Sequence, residues 1–483
     1  VLPATTARLV VSTLIVALGI AAPSNAVAAE DHSDSAYTTE DVSFENDGLA
    51  LHGTVLVPSP PGSTPTAKPP SAETRHPAVV IVAGSGARVR SDYLAEARAF
   101  AASGVVTLIY DKRTVGYSLT ERSYEQLGED AIAALRLLRD RPDVDPARVG
   151  LWGHSEGGWV VPTAAASHPE VGFVILAGAS ARPPAEVQTW STCRYLVNSG
   201  FPERLCAPVG GNLTRLMVAG GLFPEAAFDP LPALAQLRVP TLVLLAEFDQ
   251  STAPVTSGHL FAETLSGSPH ASVCVVPGAD HEFHASPNGF EAGEHYADGY
   301  LQLASTWVGA LDGAGGASFD CPSAATAQQV GVPTRLSPLD WFESLAVHAV
   351  AGFVLLGAFL SYPVTALVRR MRGSRRSGPA AWPARLLSAA GLVTVLGTVC
   401  LLGYLMATGA TDPIGPVLLD RPAVWLLLQL LSLVVVGAAV WTTIAWRRTR
   451  DRVTVTARIR LGIVLAGAIV FVPWAAWWGL FTA

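Results

Sequence analysis

Lysine is nearly missing from this chain. Lys68 and Lys112 are the two in 483 residues, and arginine carries almost all the positive charge. With abundant alanine and glycine, that is the composition of a high-GC bacterial gene. Charge of either sign is scarce, at 15% of residues against 50% hydrophobic. Such a balance is high for a soluble protein and points to membrane segments. The formal net charge of −7 gives no basic surface and argues against a nucleic-acid partner. No Gly-Lys-Ser/Thr follows Gly84-Ser85-Gly86, which excludes a phosphate-binding loop. His281 and His284 are spaced i,i+3 rather than the i,i+4 of a zinc-protease helix, so neither a metal nor another cofactor is expected. Cysteine is also rare. Cys193, Cys206, Cys274 and Cys321 precede a strongly apolar tail, and Cys400 lies within it. Four cysteines allow three pairings. The simplest closes a short loop between Cys193 and Cys206 and leaves Cys274 for Cys321, as an oxidising compartment would permit.

The two ends of the sequence point to the same compartment. Arg8, the apolar stretch Leu9–Ile20 and the small-residue site Ala26-Val27-Ala28 read as a signal peptide over residues 1–28. Twelve helical residues rise only ~18 Å, too little for a ~30 Å hydrocarbon core. After a linker at 313–340, residues 341–483 carry four apolar stretches, roughly 341–368, 386–406, 424–446 and 461–482. Each is long enough to span a bilayer. The first connecting loop holds Arg369, Arg370, Arg372, Arg375 and Arg376, and the third holds Arg447, Arg448, Arg450, Arg452, Arg458 and Arg460. The second loop has one arginine and two aspartates. The positive-inside rule places the first and third loops in the cytoplasm. The C-terminus and everything between the signal peptide and the first span are then extracytoplasmic. Trp341, Trp474, Trp477 and Trp478 fall near the outer interface, and Trp382 and Trp446 near the inner one, as anchoring belts do. No charged residue lies in the middle of a span, which argues against ion or proton transport, and His348 reads as interfacial.

Residues 37–312 alternate apolar runs with amphipathic segments, the pattern of an α/β fold with a mostly parallel sheet. Val42–Phe44 and Leu49–Val57 read as an opening antiparallel pair. Ala78–Ala83, Val105–Tyr110, Arg148–Trp152, Val171–Ala177, Thr241–Leu245 and Ala271–Val276 read as the following strands, and Tyr296–Leu311 as the closing helix. An insertion over about 181–237 follows the sixth strand, where a cap over an active site would stand.

The chemistry concentrates on three strand ends. Gly153-His154-Ser155-Glu156-Gly157 follows an apolar run and precedes a helix-compatible one, the context of a nucleophile elbow. Gly153 and Gly157 leave room for close packing around the nucleophile candidate Ser155. A serine hydroxyl needs a base, and the base an orienting carboxylate. His281 follows the last strand and Asp249 the one before it, with Glu247 and Asp280 as competing acids. The order Ser, Asp, His at successive strand ends puts all three on the edge where an α/β sheet presents its site. The amide of Glu156 and that of Ser85 or Gly84 are the oxyanion candidates. Asp111-Lys112-Arg113 reads as structural pairing beneath the site.

Ala83-Gly84-Ser85-Gly86, Tyr110-Asp111-Lys112-Arg113, Gly153-His154-Ser155-Glu156-Gly157-Gly158, Asp249 and Gly278-Ala279-Asp280-His281 together resemble the α/β-hydrolase superfamily, in its dienelactone-hydrolase-like and prolyl-oligopeptidase-like esterase branch. Two positions depart from the pattern: Ala83 stands where the family usually has His, and Thr114 where it has Gly. The resemblance implies an α/β-hydrolase sheet with a cap insertion and hydrolysis of esters, thioesters or amides through an acyl-enzyme without a metal. The tail resembles, loosely, the membrane extension of some exported β-lactamase-like serine hydrolases. The expected protein is a multi-pass, membrane-anchored serine hydrolase acting on a small acyl ester or envelope-associated substrate, with the lipid bilayer as its other partner. Its rivals are a peptidase, an acyltransferase on envelope lipids or glycans, and an inactive sensor head on a membrane module.

Overall fold

The computed structural model describes residues 36–59, 75–118, 120–268, 270–311, 321, 327–373, 381–449 and 453–482. The expected signal peptide lies outside these residues, as do Arg375, Arg376, Arg450 and Arg452.

Strands β1 (Tyr37–Asn46) and β2 (Leu49–Pro58) form a hairpin closed by Asp47 and Gly48. Both turn residues have positive φ, 51° and 74°, as a twist-matched two-residue turn requires. The chain continues through β3 (His76–Val82), α1 (Leu94–Ala102), β4 (Val106–Tyr110) and α2 (Tyr124–Arg139). It then runs through β5 (Val144–His154), α3 (Gly157–Ser167), β6 (Val174–Ala177), α4 (Pro184–Asn198), α5 (Asn212–Ala219) and α6 (Leu231–Gln236). The α/β unit closes with β7 (Thr241–Ala246), α7 (Pro254–Thr264), β8 (Ala271–Val276) and α8 (Tyr300–Ala310). Helix α8 starts four residues later than the pattern predicts, after Gly299 at φ 80°, because Tyr296 instead bridges to His284.

Among the described residues these strands make one eight-stranded sheet in the order β1-β2-β4-β3-β5-β6-β7-β8. Strand β2 alone runs against the rest. The central strands are continuous apolar runs because both faces are covered. Helices α1 and α8 pack on one face through Ala97, Phe100, Tyr300 and Trp307. Helices α2, α3, α6 and α7 cover the other through Ile132, Leu135, Val160, Leu234 and Phe261. Parallel strands under helices on both sides bring the carboxyl ends of β3, β5, β7 and β8 to one edge, where ligands bind in such sheets.

The insertion after β6 folds as α4, α5, α6 and the turns between them, with a Cys193–Cys206 disulfide joining α4 to the turn that follows it. A second disulfide joins Cys274 in β8 to Cys321. Four further helices follow among the described residues: α9 (Leu345–Met371), α10 (Ala381–Thr408), α11 (Ala423–Arg448) and α12 (Val455–Trp477). At 27, 28, 26 and 23 residues they are long and apolar enough to cross a membrane.

The insertion does not stand free above the sheet. Leu196, Phe201, Leu205, Val209, Leu213 and Leu216 share one apolar cluster with the four-helix region. Asn212 donates to the Trp477 carbonyl (2.9 Å), and Arg215 pairs with Glu343 just before α9 (2.6 Å). Trp474 and Trp478, expected in an anchoring belt near the outer interface, are buried in the apolar cluster that these helices share with the insertion, at 7% and 5% exposure. Trp341 and Trp382 are exposed at 82% and 65%. Residues that meet across more than a hundred positions carry no periodic signal, which is why the junction was not legible in the sequence.

Candidate active site

Ser155 sits in the two-residue turn between β5 and α3 with φ at 51°. A non-glycine residue in the left-handed region stores of order 1–3 kcal/mol, and the surrounding packing must hold it there. Close approach explains the neighbouring glycines. A Cβ on Gly153 would lie 2.3 Å from the Gly157 carbonyl oxygen, and one on Gly157 would lie 2.6 Å from that of Val82. Three chain segments therefore touch backbone to backbone, and Ser155 is lifted off the sheet, partly exposed.

The Ser155 hydroxyl donates to His281 Nε2 at 2.9 Å, and His281 Nδ1 donates to Asp249 Oδ2 at 2.9 Å. Asp249 is buried at the end of β7, and its carboxylate is fully satisfied. Its Oδ1 accepts from the amides of Ser251 (2.6 Å) and Thr252 (2.9 Å), and its Oδ2 accepts from the Thr252 hydroxyl (2.5 Å). The competing acids face elsewhere. Glu247 accepts from the Gly278 amide (2.7 Å), and Asp280 Oδ1 caps its own loop through the amides of Glu282 and His284. Glu282 pairs with Arg88 (2.8 Å), and the His284 ring stacks on Tyr296. Burial alone would lower the His281 pKa, but the ionised Asp249 beside it raises the imidazole to about 9. Burial alone would raise the Asp249 pKa, and the same imidazole overcomes that and holds it below the usual carboxylate range.

The loop Gly84-Ser85-Gly86 after β3 faces Ser155: a Cβ on Gly84 would be 3.3 Å from that of Ser155. The amide of Gly84 is already engaged, donating to the Tyr93 hydroxyl at 2.8 Å. Of the two candidates on this loop, Ser85 is thus the one whose amide faces no protein acceptor among the described residues. The Glu156 amide lies at the opening of α3, where a first-turn N–H has no carbonyl behind it. This arrangement can move a proton from a hydroxyl to an imidazole and offer two amides to an oxygen that gains negative charge.

Beneath the site, charged side chains are paired. Lys112 reaches Glu156 (2.5 Å), which Arg122 also contacts (2.5 Å), and Arg113 grips Asp130 of α2 with two bonds of 2.6 Å. Asp111 accepts from the Arg90 amide (2.9 Å).

Residues 79–292 match the alpha/beta hydrolase family. The sheet unit has the α/β-hydrolase fold. Among curated proteins, a thiohydrolase of Arthrinium phaeospermum is 32% identical over 142 residues, which are 28% of this chain. The chain spans 42% of the length of that relative. Among solved structures, a dienelactone hydrolase from Anabaena variabilis is 19% identical, covering 56% of this chain and 97% of its own, with a TM-score of 0.35. A Pyrococcus furiosus esterase is 15% identical, covering 54% and 89%, with a TM-score of 0.37.

Two residues of the hydrolase domain matter that the motif reading passed over. His154 Nε2–H donates to the His281 carbonyl (3.1 Å), while its Nδ1 accepts from the Tyr93 hydroxyl (3.3 Å). Burial pushes the His154 imidazole below its ordinary pKa, as suits a neutral ring bridging two fixed groups. The Tyr93 hydroxyl in turn accepts from Gly84, so this pair ties the His281 loop to the Gly84 loop through the elbow. In the sequence His154 is one more variable position of Gly-x-Ser-x-Gly, and Tyr93 belongs to no motif that would lift it out.

The elbow glycines give a stability prediction. Gly153→Ala forces its methyl group into the Gly157 carbonyl, and overpacking of this kind costs about 1–3 kcal/mol. Thermal melting of the purified variant should show a fall of several degrees, and an unchanged melting temperature would contradict the packing described.

Proposed function

We propose that this protein is a membrane-anchored serine hydrolase that cleaves carboxylic esters or thioesters through an acyl-enzyme. The observation that carries this reading is the unbroken line Ser155–His281–Asp249, with two hydrogen bonds of 2.9 Å at the carboxyl edge of the sheet. Ser155 Oγ attacks the acyl carbon while its proton passes to His281 Nε2. The carbonyl oxygen takes up the electron pair and rests against the amides of Ser85 and Glu156. Collapse of this adduct expels the alcohol or thiol, which leaves with the proton from His281. Water then repeats the sequence on the acyl-enzyme, releasing the acid and restoring Ser155. Asp249 keeps Nδ1 protonated and balances the imidazolium. No metal or cofactor enters the scheme. The thioester alternative draws on the curated relative, whose name describes a thiohydrolase.

The four apolar helices supply the anchor. Arg369 and Arg370 end α9, Arg447 and Arg448 end α11, and Arg458 and Arg460 open α12, which favours a cytoplasmic side for those ends. The hydrolase domain joins the opposite ends and is then extracytoplasmic. Arg194 of α4 donates to the Gln250 side chain (3.0 Å), in the loop that carries Asp249, while the same insertion packs on the helices. A site braced this way favours a small acyl ester or an ester of the envelope held close to the bilayer surface.

The test is turnover of p-nitrophenyl esters and matched thioesters of graded acyl length by the detergent-solubilised protein. Hydrolysis with a burst of acylation supports the reading, and no turnover of either series contradicts it. The pH profile adds a second prediction. The base works only when neutral, and Asp249 holds its pKa near 9. kcat/KM should therefore rise about tenfold per pH unit below that value and level off above it. A limb at the ordinary histidine value, near 6.5, would contradict the electrostatics of the His281–Asp249 pair.

A further inference from the structure

The backbone of Gly84-Ser85-Gly86 is hydrogen-bonded at every polar group but one. Gly84 N–H meets the Tyr93 hydroxyl (2.8 Å), and the Gly84 carbonyl accepts from Lys112 Nζ (2.7 Å). The Ser85 carbonyl accepts from Arg88 Nε (3.1 Å), Gly86 N–H donates to the Tyr117 hydroxyl (3.0 Å), and the Gly86 carbonyl accepts from the Arg88 amide (3.0 Å). Among the described residues only Ser85 N–H is left without a protein acceptor. That N–H shares a peptide plane with the Gly84 carbonyl. In a trans peptide the two point in opposite directions. Holding the carbonyl on a buried ammonium therefore aims the Ser85 amide away from it, toward the exposed side of the loop. A cation on the carbonyl also polarises the N–H across the plane.

The same ammonium also reaches the side chain of Glu156, the residue that supplies the second amide. Lys112 Nζ donates to Glu156 Oε1 (2.5 Å) and to the Tyr117 hydroxyl (3.0 Å), which itself donates to Glu156 Oε1 (2.8 Å). All three N–H bonds of Lys112 are thus used, and the side chain is 5% exposed, so substrate does not touch it. We propose that Lys112 is a positioning residue that sets the oxyanion hole, by tying the Gly84 carbonyl to the Glu156 side chain and so fixing Ser85 N–H and Glu156 N–H relative to each other. This rests on the serine-hydrolase reading above. It also gives a physical role to one of the two lysines in an arginine-rich chain: a compact ammonium with three diverging donors reaches three acceptors that a flat guanidinium would not.

The test uses the full-length protein in detergent. Wild-type turnover and labelling of Ser155 by a fluorophosphonate are measured first, and their absence sinks the serine-hydrolase reading itself. Lys112→Met is then compared in kcat, KM, thermal melting and inhibition by a trifluoromethyl ketone, which forms an oxyanion on the nucleophile. Loss of one well-placed donor costs about 100-fold or more in kcat. The expected result is a kcat fall of about that size, KM within about threefold, and inhibitor affinity reduced in step with kcat. Lys112→Arg should recover little. A folded Lys112→Met with wild-type kcat and inhibitor affinity overturns the proposal. Should that variant fail to fold, Glu156→Gln loosens the same tether while leaving the lysine on Gly84. A folded Glu156→Gln with unchanged kcat and inhibitor affinity would equally overturn it, and a drop in both with KM held supports it.

Discussion

Ser155→Ala is expected to lower kcat by about 10⁶-fold while leaving the melting temperature close to that of the wild type. The reason is local. Removing Oγ deletes the atom proposed to attack, and no other hydroxyl stands within hydrogen-bonding reach of His281 Nε2 among the described residues. The strained backbone at φ 51° is kept, since alanine meets the same penalty there as serine. The carboxylate of Asp249 keeps its amide and hydroxyl partners, so the acid end of the site does not reorganise. Residual hydrolysis above the water rate would report the oxyanion amides and binding alone. A Ser155→Ala protein that turns over p-nitrophenyl esters at the wild-type rate would remove the nucleophile from the account.

Asp249→Asn should cost about 10⁴-fold in kcat, with the fold preserved. The hydrogen bonds decide this outcome. The amides of Ser251 and Thr252 both donate to Oδ1, so an asparagine at this position turns its carbonyl oxygen toward them. Its NH2 group then faces His281 Nδ1, which must accept. That tautomer carries its proton on Nε2 and cannot take the one from Ser155. The same substitution removes the charge that raises the imidazole to about 9, so the acid limb of kcat/KM should move to lower pH. Kinetics across pH on both proteins would check the two effects separately. An Asp249→Asn enzyme with wild-type rate and an unmoved limb would show that another acid orients the base.

Much of this was legible in the sequence, and for definite reasons. The fold is legible in buried apolar runs such as Ala78–Val82 and Leu242–Ala246, because parallel strands covered on both faces read as near-continuous hydrophobic stretches. Ser155 could be singled out because its turn demands glycines at fixed offsets, and His281 because it follows the last strand. What escaped the sequence depends on three-dimensional proximity. Tyr93 and His154 act as bridges between loops far apart in the chain. Lys112 was legible as a charge beneath the site, but its hold on the Gly84 carbonyl involves a backbone atom, which leaves no mark on residue type. The burial of Trp474 and Trp478 is of the same kind, since the apolar cluster that holds them also takes in insertion residues some 260 positions earlier.

The most direct measurement is covalent labelling of the full-length, detergent-solubilised protein by a fluorophosphonate, followed by mass mapping of the modified peptide. An activated serine beside a neutral imidazole should give one adduct, on Ser155, forming faster as pH rises toward 9 and missing from Ser155→Ala. An unmodified Ser155 in folded protein, or an adduct carried by a different residue, would contradict the account.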